Sequence, residues 1–236
     1  MKLYKIKLIQ AIDRTPSVKS FRFLPQEPVV FTPGQFLRVI FDPASPQNKE
    51  LNKYLSFSSS PLNDYIEVTK RISPSIFCQR LCSLKPGDEI SIEAALGSCV
   101  FCADHKNIAF IIGGIGITPV ISILEYVAQK KLDTKITLIY SNRTEEEIAF
   151  KKELDQWRCK NPNLKIYYFV TDCQPVDKMC IFGRLSKELL AEKFPQVSGY
   201  EFFIFGPPKM VEAMKELTIG IGAVKEQVKT ESFIGY

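Results

Sequence analysis

Ile108-Ala109-Phe110-Ile111-Ile112-Gly113-Gly114-Ile115-Gly116-Ile117-Thr118-Pro119 is the stretch that decides the fold of the second half of the chain. Five apolar residues run without a polar interruption, the pattern of a strand buried on both faces. Three glycines then permit a tight turn, and Pro119 suits the first turn of a helix, where its missing N–H costs nothing. A strand, a glycine turn and a helix in this order suit a dinucleotide pyrophosphate. Glycine lets the backbone approach closely, and the helix N-terminus offers unpaired N–H groups and the positive end of its dipole. No Gly-Lys-Ser/Thr follows, which speaks against an NTPase P-loop. A tight turn without a ligand is the competing reading. Residues 108–124 are also the most apolar part of the chain. Their glycines and Pro119 interrupt them, and they fall short of the roughly 18 to 20 apolar residues a membrane span needs.

Outward toward the C-terminus, strand-like and helix-like segments alternate. Residues 136–140, 164–170 and 202–205 read as strands, and 120–129, 145–157, 187–193 and 209–217 read as helices. Alternation with continuous apolar strands indicates a parallel sheet covered on both faces.

Toward the N-terminus the pattern is all-β. Tyr4, Ile6 and Leu8 alternate with Lys5 and Lys7; Phe21 and Phe23 flank Arg22; Ile66 and Val68 alternate with Glu67 and Thr69; Ile90 and Ile92 flank Ser91. This is the period of half-buried strands. Thr32-Pro33-Gly34-Gln35 and Pro86-Gly87-Asp88 are turns, and one short helix starts at Ser75 and runs toward Leu84. Many short strands with Pro/Gly turns indicate a barrel or sandwich. The two halves meet near residue 104.

A net charge of +5 with no dense Lys/Arg run argues against a nucleic-acid partner. Seven cysteines leave at least one unpaired, and Met1 leads directly into a strand pattern rather than a secretory signal, so free, buried thiols in a reducing, cytoplasmic setting are expected. Cys78 and Cys82, and Cys99 and Cys102, match no strong metal-ligand spacing, and His105 is the only histidine, so no metal site is expected.

The glycine loop with Thr118-Pro119, the later Gly206-Pro207-Pro208-Lys209-Met210 and the tail Glu231-Ser232-Phe233-Ile234-Gly235-Tyr236 together resemble the ferredoxin–NADP⁺ reductase superfamily. The resemblance covers essentially the whole chain, with motifs in the family's order and at compatible spacing. It implies an antiparallel FAD-binding β-barrel over residues 1–104, followed by a parallel-sheet NAD(P)-binding α/β domain over 105–236, in agreement with the two halves read from periodicity. An iron–sulfur region of the kind some relatives carry is not expected.

The resemblance also implies roles. The family's Arg-x-Tyr-Ser flavin signature corresponds to Lys53-Tyr54-Leu55-Ser56. By that correspondence Ser56 offers its hydroxyl to flavin N5, Lys53 faces the FAD pyrophosphate, and Leu55 stands where an aromatic is usual, with Tyr54 beside it. Lysine lacks the bidentate fork of arginine, and leucine offers no π-face. Thr69, Lys70 and Arg71, with Ser75 at the next helix start, fall in the same flavin-binding region; Ser75 is equally an ordinary N-cap. Glu93-Ala94-Ala95-Leu96-Gly97-Ser98 resembles a Gly-Pro-x-Gly stretch with both leading positions changed to Ala.

On the coenzyme side the resemblance assigns Gly113, Gly114, Gly116, Thr118 and Pro119, then Gly206, Pro207 and Met210 beside the nicotinamide. The usual cysteine before that glycine is Phe205, which reads as a core aromatic. Glu231 and Tyr236 join Ser56 at the reacting centre. The terminal Tyr236 covers the flavin until nicotinamide displaces it, a frayed end being the alternative. Ser141, Asn142 and Arg143, and Thr171 and Asp172, follow the second and third parallel strands. An Asp at 172, where NADP-linked members carry Arg, repels a 2′-phosphate and leans the choice to NADH; Arg143, Lys178 or Arg184 could reverse it. The expected activity is hydride transfer between NAD(P)H and FAD, with electrons passed to a ferredoxin, a haem protein or free flavin. An electron-transfer subunit of a larger complex, and a nucleotide-binding module that has lost flavin, are the rivals.

Overall fold

The computed structural model describes residues 2–233, which form two compact units: residues 2–101 with Thr118–Gln129, and Cys102–Ile117 with residues 130–233.

In the first unit, β1 (Leu3–Thr15), β2 (Val18–Pro25), β3 (Phe36–Ile40), β4 (Asn52–Ser56), β5 (Ile66–Arg71) and β6 (Glu89–Leu96) form an antiparallel sheet in the order β4-β3-β6-β1-β2-β5. Just beyond β4 the chain returns to β5. Phe57 bridges Val68, and the Ser58 N–H donates to the Glu67 carbonyl at 2.8 Å. Closure into a barrel removes the open edges. Ile6, Phe21, Leu37, Val39 and Ile92 fill the interior, with the Phe31 and Phe57 rings stacked at 3.7 Å. The helix α1 (Ile76–Ser83) adds Phe77, Cys78 and Leu81 to that core.

Strand β5 departs from the half-buried expectation, because Glu67 and Thr69 are buried as well as Ile66 and Val68. Its second face is covered by polar side chains that satisfy one another. Arg14 Nη2 lies 3.0 Å from both Glu67 oxygens, and Arg22 Nε lies 2.7 Å from Oε2. The Thr69 hydroxyl is 2.7 Å from those of Ser20 and Ser58. A buried carboxylate is tolerated only with such partners.

The helix α2 (Thr118–Lys130) contributes its first twelve residues to this unit. Glu125 accepts from the Ser60 N–H at 2.6 Å and from Asn63 Nδ2 at 3.1 Å, and Gln129 donates to Asn63 at 2.7 Å.

In the second unit six parallel strands, β7 (Asn107–Gly113), β8 (Lys135–Asn142), β9 (Leu164–Val170), β10 (Cys180–Phe182), β11 (Glu201–Gly206) and β12 (Val228–Ser232), lie in the order β10-β9-β8-β7-β11-β12. The chain runs outward from β7 through β8 and β9 to β10, then crosses to the other side of β7. The switch therefore falls between β7 and β11. The helices α3 (Lys151–Lys160), α4 (Lys187–Lys193) and α5 (Pro208–Gly220) complete the unit; Leu190 of α4 and Val211 and Met214 of α5 pack with Ala109, Ile111, Phe202 and Ile204 of the sheet.

Three expectations need correction. The helix expected over 145–157 is broken: Glu145–Glu147 is a 3-10 turn, and Phe150 is left-handed at φ 61° before α3 begins. Ile148, Ala149 and Phe150 are all buried. Strands β10 and β12 carry too little apolar alternation to be read as strands. Finally, the seven thiols are free, but only Cys78 and Cys180 are buried. Among the described residues no helix is long and apolar enough to cross a membrane.

Candidate functional site

In open parallel sheets, ligands bind where the strand order reverses, at the carboxyl ends of the strands. Here that point joins the end of β7 to the end of β11, and both ends carry glycine. A Cβ on Gly116 would stand 2.6 Å from the Phe205 carbonyl oxygen, and one on Gly113 would stand 3.2 Å from Met210 Sδ and Pro207 Cδ. The glycine loop and the Gly206-Pro207 turn are thus packed backbone against backbone. Gly114, at φ 53°, takes a left-handed conformation that favours glycine. Thr118 and Pro119, both buried, open α2 directly after this loop.

Next to β11, β12 places Glu231 opposite Phe205, and the Phe233 N–H donates to the Gly206 carbonyl at 3.0 Å. Burial pushes the Glu231 carboxyl up to about 6. Phe205 is fully buried, its ring 5.9 Å from Phe203, and is a core aromatic as expected. Tyr236 lies outside the described residues.

The same sheet edge carries Ser141, Asn142 and Arg143 at the end of β8 and Thr171 and Asp172 after β9. Thr171 and Asp172 donate their N–H groups to the Arg143 carbonyl at 3.1 and 2.9 Å, and the Thr171 hydroxyl donates to the Asp172 carboxylate at 2.7 Å. Asn142 is 5% exposed, yet neither its amide oxygen nor its nitrogen has a hydrogen-bond partner. Leaving a buried polar group unsatisfied costs about 1–3 kcal/mol, so this amide is suited to a polar ligand group.

On the barrel, Lys53, Tyr54, Leu55 and Ser56 occupy β4. The pleat sends Tyr54 and Leu55 to opposite faces. Leu55 joins the barrel core, whereas Tyr54 is exposed, its ring edge-on to Phe36 at 5.6 Å and under the Arg38 guanidinium at 5.5 Å. Ser56 is buried at the strand end. Thr69, Lys70 and Arg71 end β5, and Ser75 caps α1 by accepting the Cys78 N–H at 3.3 Å.

Three cations gather near the start of this helix. Burial, opposed by Cys78 and reinforced by the charges of Lys53 and Arg71, lowers the Lys70 pKa below its ordinary value. Lys70 donates to the Arg71 carbonyl at 3.0 Å, and Arg71 donates to Ser17 at 2.9 Å. Burial raises the Cys78 thiol, but hydrogen bonds from Ser73 and Ser75 and the Lys70 charge bring it below its usual value. A half-buried cationic group at a helix N-terminus suits a diphosphate, which relieves the mutual repulsion.

The Gly-Pro-x-Gly correspondence does not hold residue for residue. Ala95 has φ 63°, a value closed to proline. Gly97, at φ 93°, has the Phe36 ring within 2.6 Å of where a Cβ would stand.

His105 accepts the Cys102 N–H at 3.3 Å and lies 5.9 Å from the Phe203 ring. Sequence reading also passed over Glu145, which accepts two backbone N–H groups from the loop after β9. A glutamate in an expected solvent-facing helix carries no signal for that role.

Residues 110–216 match the oxidoreductase NAD-binding domain family. NADH-cytochrome b5 reductase 1 of Scheffersomyces stipitis is 33% identical over 147 residues, which cover 61% of this chain and 51% of that protein. The match thus spans about half the length of that relative. The flavohem-like FAD/NAD binding domain of nitric oxide dioxygenase from Vibrio cholerae superposes with a TM-score of 0.85 at 17% identity, covering 98% of both chains. Ferredoxin-NADP⁺ reductase from Plasmodium falciparum superposes with a TM-score of 0.78 at 20% identity, covering 97% of this chain and 95% of its own. Glycines packed at the sheet's switch point, the NAD-binding match across that sheet and the barrel that precedes it support one common reading: the chain has the fold of the ferredoxin–NADP⁺ reductases and is similar to that superfamily.

Proposed function

We propose that the protein is an NAD(P)H-dependent oxidoreductase that binds FAD non-covalently on the barrel and delivers electrons to a separate acceptor. The observation that carries this reading is the switch point, where Gly113 and Gly116 are packed against Phe205, Gly206 and Pro207, with the half-buried carboxyl of Glu231 on the neighbouring strand. Lys53, Lys70 and Arg71, with the α1 N-terminus, are the residues suited to the FAD diphosphate, and the likeness of Lys53-Tyr54-Leu55-Ser56 to the family's flavin signature supports a flavin contact for Ser56. FAD, when bound, supplies a two-electron acceptor for hydride. The chain's own part is to seat the dinucleotide by backbone N–H groups of the glycine loop, offer the Asn142 amide, exclude water with Phe205 and Pro207, and hold a proton on Glu231 up to about pH 6.

A haem protein is the proposed acceptor, since relatives include NADH-cytochrome b5 reductases. Ferredoxin and free flavin are the alternatives. Exposed Ile181 and Phe182 on the terminal strand β10, with Val176 and Met179 in the loop before it, favour a second reading, an electron-transfer subunit of a larger assembly. One experiment tests the main reading. The purified protein should be yellow, release FAD on heating, and bleach anaerobically with NADH. A colourless protein, or a flavin that neither coenzyme reduces, overturns it.

A further inference from the structure

We propose that Glu145 is a positioning residue for the coenzyme: it clamps the loop between β9 and β10 and so fixes Asp172 where the adenosine end of the dinucleotide is read. This rests on the function proposed above.

The loop spans residues 171–179. At its start, the Thr171 and Asp172 N–H groups bond the Arg143 carbonyl. Toward its far end, Glu145 takes over, with Oε1 accepting from the Val176 N–H at 3.2 Å and Oε2 from the Asp177 N–H at 3.0 Å. Two successive backbone N–H groups converging on one carboxylate form an anion nest, and charge-assisted bonds of this kind are the strong ones.

A second arm reinforces the first. Lys151 lies 2.7 Å from Asp177 and 2.9 Å from Asp155, and Asp155 accepts the hydroxyl of buried Tyr168 on β9 at 3.0 Å. Burial works against the Lys151 charge, but the bonds to Asp177 and Asp155 prevail and raise its pKa; Lys151 in turn lowers that of Asp177.

These bonds do little to bury apolar surface, since Val176 at the clamp is 88% exposed. Their effect is to remove conformational freedom from a loop on the ligand-facing edge of the sheet. Such ordering improves binding by preorganisation more than it stabilises the fold.

The test uses the full-length flavoprotein with Glu145→Ala, Glu145→Gln and, on the second arm, Lys151→Met. Amide hydrogen exchange at Val176 and Asp177 is measured without coenzyme. Steady-state turnover with ferricyanide gives KM and kcat for NADH and NADPH. In Glu145→Ala the two amides should lose protection, the KM for the preferred coenzyme should rise about threefold to tenfold, and kcat should stay within about twofold. Discrimination between the coenzymes should shrink by a similar factor. Glu145→Gln, which keeps one acceptor oxygen, should fall between, and Lys151→Met should move the same quantities in the same direction. Unchanged exchange overturns the clamp. Lost protection with unaltered KM and discrimination overturns its link to the coenzyme. A parallel loss of kcat, flavin content and thermal stability makes the residue merely structural. A wild type that turns over with neither coenzyme overturns the functional reading itself, while the exchange data still judge the clamp.

Discussion

The backbone N–H of Asp172 donates to the carbonyl of Arg143 at 2.9 Å, so the backbones of these two exposed, oppositely charged residues are tied together at the ends of adjacent parallel strands. Under the proposed function, a ribose phosphate at this edge of the sheet is read by these two residues.

Asp172→Arg is therefore expected to move preference toward NADPH. It replaces repulsion of a 2′-phosphate by attraction next to Arg143, and a change of about 1–2 kcal/mol corresponds to roughly tenfold in the kcat/KM ratio. Kinetics with both coenzymes, wild type alongside, check it. An unchanged ratio places Asp172 away from the ribose.

Glu231 makes stability pH-dependent. Its carboxyl sits at about 6 in the fold against 4.5 for the ordinary group, so the folded state holds the proton more tightly. Its stabilising contribution is full below about pH 4.5 and is lost as pH rises through about 6, a cost of about 2 kcal/mol at neutral pH. Glu231→Gln should raise the urea midpoint at pH 7 and leave it unchanged near pH 4. Equal effects at both pH values would contradict the assignment.

Gly116→Ala places a methyl group 2.6 Å from the Phe205 carbonyl oxygen and 2.9 Å from the Gly206 nitrogen, both backbone atoms with little room to yield. A loss of about 2–3 kcal/mol is expected, with weaker coenzyme binding. Thermal unfolding and a coenzyme titration read the two effects separately.

Ala95→Gly should do the opposite. Ala95 is held at φ 63°, where an L side chain is strained, and glycine relieves about 1 kcal/mol. A melting temperature at or below the wild-type value would count against strain at this site.

Ser56→Ala should keep the fold and most of the flavin while slowing its reduction by roughly tenfold to a hundredfold, the worth of one aimed hydrogen bond. Stopped-flow reduction at the wild-type rate makes Ser56 an ordinary buried strand serine.

The extent to which sequence was legible follows the physics of each element. β7 through the glycine loop was readable because a continuous apolar run and three glycines leave few other conformations. Ser75 was readable as a cap because its preference is local. Residues 145–157 misled because a helical pattern runs through them, whereas the chain turns left-handed at Phe150, φ 61°, before α3 begins. Glu67 misled because strand alternation puts it on the outer face, and only folding brings Arg14 and Arg22 onto it.

The sequence by itself determined the order of the two halves, the barrel and parallel-sheet classes, and the glycine positions, since these depend on periodicity and on which residues tolerate tight backbone. Tertiary structure alone decided the sheet's switch point and the backbone contact of Gly116 with Phe205. It also decided the orphaned amide of Asn142, the raised carboxyl of Glu231 and the hold of Glu145 on its loop. Each of these joins residues distant in the chain, and desolvation or a missing partner belongs to the assembled surroundings rather than to any residue read in line.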